Sequence, residues 1–316
     1  DIIDNEASYG GGLQFNMNPS ATFLNVSITG NSATQESWGT GGGINCDQNT
    51  NLNLDSVIIS DNSATRSGGG IFCMGSGNLT LDNVIISGNS VNVDGGGITI
   101  RETSTLEISN SLIDNNSAGG GGYSGSGGGI SSSSSTTNIS NTLFVNNTAH
   151  EGGGLYSSWS NIELSNIVFF NNNAISSGGA IGITNGNSNS NSLEFSKVIF
   201  INNAALGSGG GGHGGAVIGG GLHDIDFINC VFSNNSSLNG GAIHFKNNID
   251  ASINNSIIWN NTPQAVALDD AVELDISYSD VEGGASDINY MDNYSGSLNW
   301  LDGNIDLYPT FVDTAN

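Results

Sequence analysis

Gly68-Gly69-Gly70-Ile71 is followed by Ile86-Ser87-Gly88-Asn89, and then by Gly95-Gly96-Gly97-Ile98. This alternation of a glycine tetrad with an apolar residue three before an asparagine decides the fold. Tetrads of the form Gly-Gly-(Gly/Ala)-apolar begin at Gly10, Gly41, Gly68, Gly95, Gly127, Gly152, Gly178, Gly214 and Gly240. The second signal follows each of them, ending at Asn31, Asn62, Asn89, Asn116, Asn147, Asn172, Asn203, Asn235 and Asn261. Between the two signals apolar residues alternate, as in Leu79, Leu81 and then Ile86. Period-two alternation means short strands with one face turned inward. A period of ~27 residues with Gly-rich corners means a coil repeated as a solenoid. Helical spacing is absent, and Gly and Asn are poor helix formers.

The expected fold is therefore all-β: a right-handed parallel β-helix of about ten rungs, each coil pairing with the next at roughly 4.8 Å. Glycine belongs at a corner where φ is positive or backbones approach closely. The nine asparagines should form an internal ladder, each bonding the one above and below. A second ladder is expected at Asn25, Ser56, Asn83, Asn110, Asn141, Asn166, Asn229 and Asn255. Lys197 interrupts it, so that position should reach solvent. Residues 1–262 read as β-helix repeats that start mid-coil, and residues 263–316 as the final coils and an acidic C-terminal cap. Cys46 and Cys73 share a register and should stack inward on adjacent rungs, as two thiols or as a bond, with Cys230 alone.

Composition narrows the function. The chain has 48 Gly, 4 Lys plus Arg and 29 Asp plus Glu, with a formal charge of −25. Nucleic-acid binding needs clustered Lys and Arg, and an anionic membrane surface needs a basic patch. Both are excluded as partners, as is direct membrane insertion, since no apolar run is long enough. Three cysteines are too few for a disulfide scaffold. The acidic, Lys-poor surface suits a secreted protein.

The paired signals resemble the repeats of polymorphic outer-membrane proteins, whose hallmarks are Gly-Gly-Ala-Ile and Phe-X-X-Asn. Gly178-Gly179-Ala180-Ile181 and Gly240-Gly241-Ala242-Ile243 match the first; Phe144-Val145-Asn146-Asn147 and Phe169-Phe170-Asn171-Asn172 match the second. The resemblance covers about residues 2–262. It implies an extracellular or cell-surface β-helix of a bacterium, often an adhesin. The tail, with Tyr278-Ser279-Asp280-Val281-Glu282 and Gly303-Asn304-Ile305-Asp306, resembles the closing segment of secreted bacterial β-helix proteins. Leu307-Tyr308-Pro309 departs from that pattern, which usually has an acid before the proline.

Candidate sites follow from what the repeat leaves over. Coils lengthen at residues 33–40, 118–126 and 205–213, so loops crowd one corner, and loops on a rigid scaffold are where binding usually resides. Trp38, Tyr123 and His213 are their binding-loop candidates, facing a glycan or a cell-surface receptor. No cofactor is required. Calcium is the one ion the acidic tail would suit, through Asp280, Glu282, Asp287, Asp302, Asn304 and Asp306, because it takes six to eight oxygen ligands. The four histidines show no metal spacing. Pectate-lyase-like and galacturonase-like enzymes share this fold, and they use clustered carboxylates with a nearby base. Here Arg66, Arg101, Lys197 and Lys246 lie in different rungs, so no catalytic residue is assigned; Arg101 with Glu102 is the nearest to such a pair. The expected function is structural or adhesive display, with end-to-end self-stacking or flanking domains as partners. The alternative is a polysaccharide-binding or polysaccharide-degrading protein.

Overall fold

A computed structural model describes residues 1–120, 124–184, 193–207, 211–221 and 223–310. The chain is a right-handed parallel β-solenoid of about ten turns. Three parallel sheets run its length: a broad sheet of 20 described strands, a third sheet of 11, and a narrow one of 9. Register is strict. In the third sheet Ile44 pairs with Ile71, Ile71 with Ile98 and Ile98 with Ile130. In the broad sheet Leu52, Leu79 and Leu106 stack in the same way. The coil continues past residue 262: Val266–Leu268 extends the third sheet, and Glu273–Ser277 and Ser297–Trp300 extend the broad one.

The glycine tetrads make the corner into the third sheet. The first glycine of each sits at positive φ, as in Gly41 at 63° and Gly68 at 64°. A Cβ on the next residue, Gly42, would lie 2.3 Å from the Gly69 carbonyl oxygen, so the stacked turns leave no room for a side chain there.

At the neighbouring corner, across the narrow sheet, the nine asparagines turn inward and are almost fully buried. All but the last, Asn261, make the same set of bonds. Asn116 Nδ2 donates to Asn147 Oδ1 and to the Ile86 carbonyl, while its own Oδ1 accepts from the backbone and side-chain nitrogens of Asn89. The run begins at Asn5, which donates to Asn31, and continues unbroken to Asn261. Beside it the inward Ile28, Ile59, Ile86 and Ile113 give way to Phe144, Phe169, Phe200 and Phe232. Those rings stack at 4.6, 5.3 and 4.7 Å, inside the range where aromatic pairs attract.

The second asparagine column is of a different kind. Asn25, Ser56, Asn83, Asn110, Asn141, Asn166, Lys197, Asn229 and Asn255 all have φ between 49° and 57°. They are selected because short polar side chains tolerate the left-handed region. The column faces outward and is bonded only in places, as from Asn166 to Asn141 and from Asn83 to Ser56. Lys197 adopts the same backbone and is exposed.

Cys46 and Cys73 are in register and fully buried, and Cys230 is buried on its own; all three are free thiols. Burial pushes Cys230 up to about 11, and its hydrogen bond with Cys73 together with burial raises Cys46. The same hydrogen bond lowers Cys73, but all three thiols are buried, so native protein should react slowly with a thiol reagent near neutral pH and show three thiols per chain on denaturation.

The ladder sets a second expectation. Asn116→Ala removes the side-chain donor to the Ile86 carbonyl and the acceptor of the Asn89 backbone N–H, at a cost of ~1–3 kcal/mol for each buried group left unsatisfied. Asn141→Gly, on the outward column and free to keep its positive φ, should cost within ~0.5 kcal/mol. Urea unfolding of the two variants compares them directly, and equal losses would contradict the assignment.

Candidate functional site: a groove on the third sheet

Strands of the third sheet alternate inward and outward residues, and parallel register turns each outward position into a column. Gln14, Asn45, Phe72 and Thr99 form one column. Asp47, Met74 and Arg101 follow two residues later, on three successive rungs. Thr40, Ser67, Asp94 and Ser126 bridge in parallel just before their tetrads and fold over the first column. Thr40 Oγ1 donates to Asn45 Oδ1 at 2.7 Å, and Thr99 Oγ1 to the Asp94 carbonyl at 2.6 Å.

Against this surface stands the loop carrying Trp38. The result is a cleft of about 730 Å³, within the size range of small-ligand sites. Its walls include Tyr9, Trp38, Asp47, Arg66, Met74 and Arg101. The Arg66 guanidinium lies 4.1 Å from the centre of the Trp38 ring, a cation–π contact. Trp38 is 55% exposed, so the stack forms an open wall. Arg101 pairs with Asp94 at 2.6 Å. Burial raises the Asp94 carboxyl, and the Arg101 charge opposes that rise. Asp47 accepts from Gln14 and Asn45 at 3.3 and 3.2 Å.

Two expectations change here. Adjacency alone pairs Arg101 with Glu102. Its partner is Asp94, because Glu102 has left the strand into a turn at φ 59°. The four cations were separated because they occupy different rungs. Rungs stack closely enough that Arg66 and Arg101 share one cleft. The missed signal was in the sequence: Asp47, Met74 and Arg101 each lie six residues after the first glycine of their tetrads.

The loop candidates do not converge. Trp38 lines the cleft; Tyr123 lies outside the described residues. His213 is far along the same sheet, bridging Ser177 and Asn239. Its ring meets that of His244 edge-on at 4.7 Å, a pairing that sequence spacing did not reveal. His244 is 1% exposed, and both its ring nitrogens lack a hydrogen-bond partner among the described residues.

The tail acids are occupied locally. Asp280 accepts from the Leu307 amide, Glu282 from Asn260, Asp287 from Ala265 and Asp306 from Gly283. Asn304 accepts from the Ser279 amide and donates to the Ile276 carbonyl. Asp302 contributes its backbone carbonyl, which accepts from Tyr278. The structure spreads the six along the closing turns as backbone caps and does not bring them into one ligand set. Among the described residues no group of three or more His, Cys, Asp or Glu is placed to hold a metal ion. No helix among them is long and apolar enough to cross a membrane.

Stacked coils, an internal asparagine ladder and outward columns that form a cleft define a parallel β-solenoid. A family model described as the right handed beta helix region matches residues 11–203, more than half of the chain, and the chain belongs to that family. A model of the Chlamydia polymorphic membrane protein repeat matches residues 229–248. No curated protein and no solved structure matches the chain.

His244 supplies a pH test. Burial, with repulsion from His213 and Lys246, pushes its imidazole down to about 3 from the ordinary 6.5. Between those values the unfolded chain binds a proton that the folded chain does not. Stability from this group is complete above about pH 6.5 and is lost progressively as pH falls toward 3. His244→Leu should flatten the fall of melting temperature between neutral pH and pH 4; an unchanged slope would rule the group out.

Proposed function

We propose that this chain is a surface-associated bacterial β-helix whose coils hold an adhesive cleft away from the cell, and that the cleft binds an anionic glycan. The carrying observation is where the positive charge lies. A chain of net charge −25 has four Lys and Arg, and two of them line this cleft beside Trp38 and Tyr9. Aromatic faces suit sugar rings, and a guanidinium fork suits a carboxylate. The polymorphic membrane protein repeat supports placement at a bacterial outer surface. A rigid solenoid supports display, because its length separates the cleft from any anchor.

The test is an array of carboxylated and neutral glycans, followed by titration of the best binder. Carboxylated glycans should bind, and Arg66→Ala should weaken them about tenfold or more, as expected for a charge-assisted hydrogen bond of ~1.5–3 kcal/mol. Trp38→Ala should act in the same direction, and Lys246→Ala should not. Preference for neutral glycans, or indifference to Arg66 and Trp38, would reject the reading.

A second reading has its own observation. Asp47 and Asp94 share the cleft region with two arginines, and the Asp94 carboxyl is raised. Perturbed acids in clefts mark polysaccharide-active enzymes as well as binding sites. Release of new chain ends from an acidic polysaccharide, lost in Asp94→Asn with binding retained, would favour catalysis. Since the fold hosts both, only that measurement separates them.

A further inference from the structure

The broad sheet has two arms, the first through Asn51–Asp55 and its stacked partners and the second through Ile58–Ser60 and its partners, and their outer faces differ. Outward residues of the first arm are polar and often acidic, as in the stacked Glu107, Asn138, Glu163, Glu194 and Asp226. The second arm reverses this. Ile58, Ile85, Leu112 and Leu143 stack outward, and Val168, Ile199, Val231 and Ile257 continue the column without interruption. Ile58, Ile85 and Leu143 are 43%, 39% and 45% exposed. A parallel column two residues on begins polar, at Ser60, Ser87 and Asp114, and then carries Val145, Phe170, Ile201, Ser233 and Trp259. One end closes at Trp259, where Tyr308 packs edge-on at 5.8 Å.

We propose that this strip is a side-by-side interface between two copies of the chain. Charge selects the partner. Over its eight rungs the strip meets only Asp61 and Asp114, in a chain that has 29 Asp and Glu, and residues 141–146, 166–171, 197–202, 229–234 and 255–260 contain none. Two copies of charge −25 that meet antiparallel, so that Asp61 and Asp114 face the acid-free rungs of the partner, pair without carboxylate opposing carboxylate. Spacing selects the same partner. A second copy presents an identical aliphatic row at the same rung repeat, so the rows interdigitate along their whole length. Contiguous exposed apolar patches of this kind mark interaction sites.

Size sets the strength. Eight rungs at ~4.8 Å span ~34 Å, and two side-chain columns cover ~12 Å, giving roughly 400 Å² per copy. A standard stable interface buries about 800 Å² per partner. The pair is therefore weak and concentration-dependent, and it differs from end-to-end stacking, which would bury the coil ends and leave the strip bare.

Sedimentation equilibrium from low micromolar to near-millimolar protein tests this. The parent should show a monomer–dimer equilibrium. Leu143→Glu and Ile85→Glu should raise its dissociation constant at least tenfold with unchanged circular dichroism and melting. Ile175→Glu, exposed but off the strip, should leave it unchanged. If a glutamate variant misfolds, Leu143→Thr replaces it, with the same expected direction. A parent that stays monomeric throughout overturns the proposal. So does association that survives the strip variants, which would assign it to the coil ends. So does a monomer that co-sediments with phosphatidylcholine vesicles through these residues, which would make the occupant lipid.

Discussion

Each turn of this solenoid is held to the next by an amide that has no alternative partner. Once the inward asparagines are removed from water, their bonds must be made within the column, because an unsatisfied buried polar group costs more than a single bond supplies. The column fixes spacing, since Nδ2 of one rung must reach Oδ1 of the next at about 3.0 Å, as in Asn62 with Asn89. It also fixes register, because a slip by one residue would turn every asparagine outward and every isoleucine with it. The glycine corner and the stacked phenylalanines then follow from a rung whose height and phase are already set.

That dependence explains what could be read from the sequence and what could not. Ladder, glycine corner and inward apolar residues recur in every coil, so periodicity alone located them, down to the paired Cys46 and Cys73. The cleft does not recur. It arises where single residues, Trp38, Arg66 and Arg101, occupy positions whose equivalents change from coil to coil, as the Arg101 column does from Asp47 and Met74 to Ser133 and Ser158. Counting cations by rung separated Arg66 from Arg101. Counting them by offset from the tetrad would have stacked Met74 under Arg101 and drawn attention to the corner beside them. The second column was located correctly but is outward, because the feature that selects asparagine there is backbone handedness. The tail acids illustrate the opposite difficulty. Their density suggested a cation site, whereas folding assigns most of them to backbone amides that the last turns would otherwise leave exposed.

Charge and apolar surface are distributed by face. Carboxylates line the first arm of the broad sheet, the two cleft arginines lie at the third, and the second arm carries an aliphatic row. A solenoid can partition its surface in this way because each face is a set of columns, and a column is changed one rung at a time. The proposed glycan recognition and the proposed self-association therefore need not compete for the same residues.

The uniform rung has a consequence for how such a chain changes length. Gly68 to Gly95 is one complete turn, beginning and ending at the same point of the coil. Excising or duplicating such a unit by unequal recombination would rejoin equivalent backbone to equivalent backbone, leaving ladder and sheets continuous. The molecule's reach is thus heritable in whole-coil steps. The aliphatic row would lengthen or shorten with it, while the cleft, written into particular coils, would persist only in lineages that kept those coils.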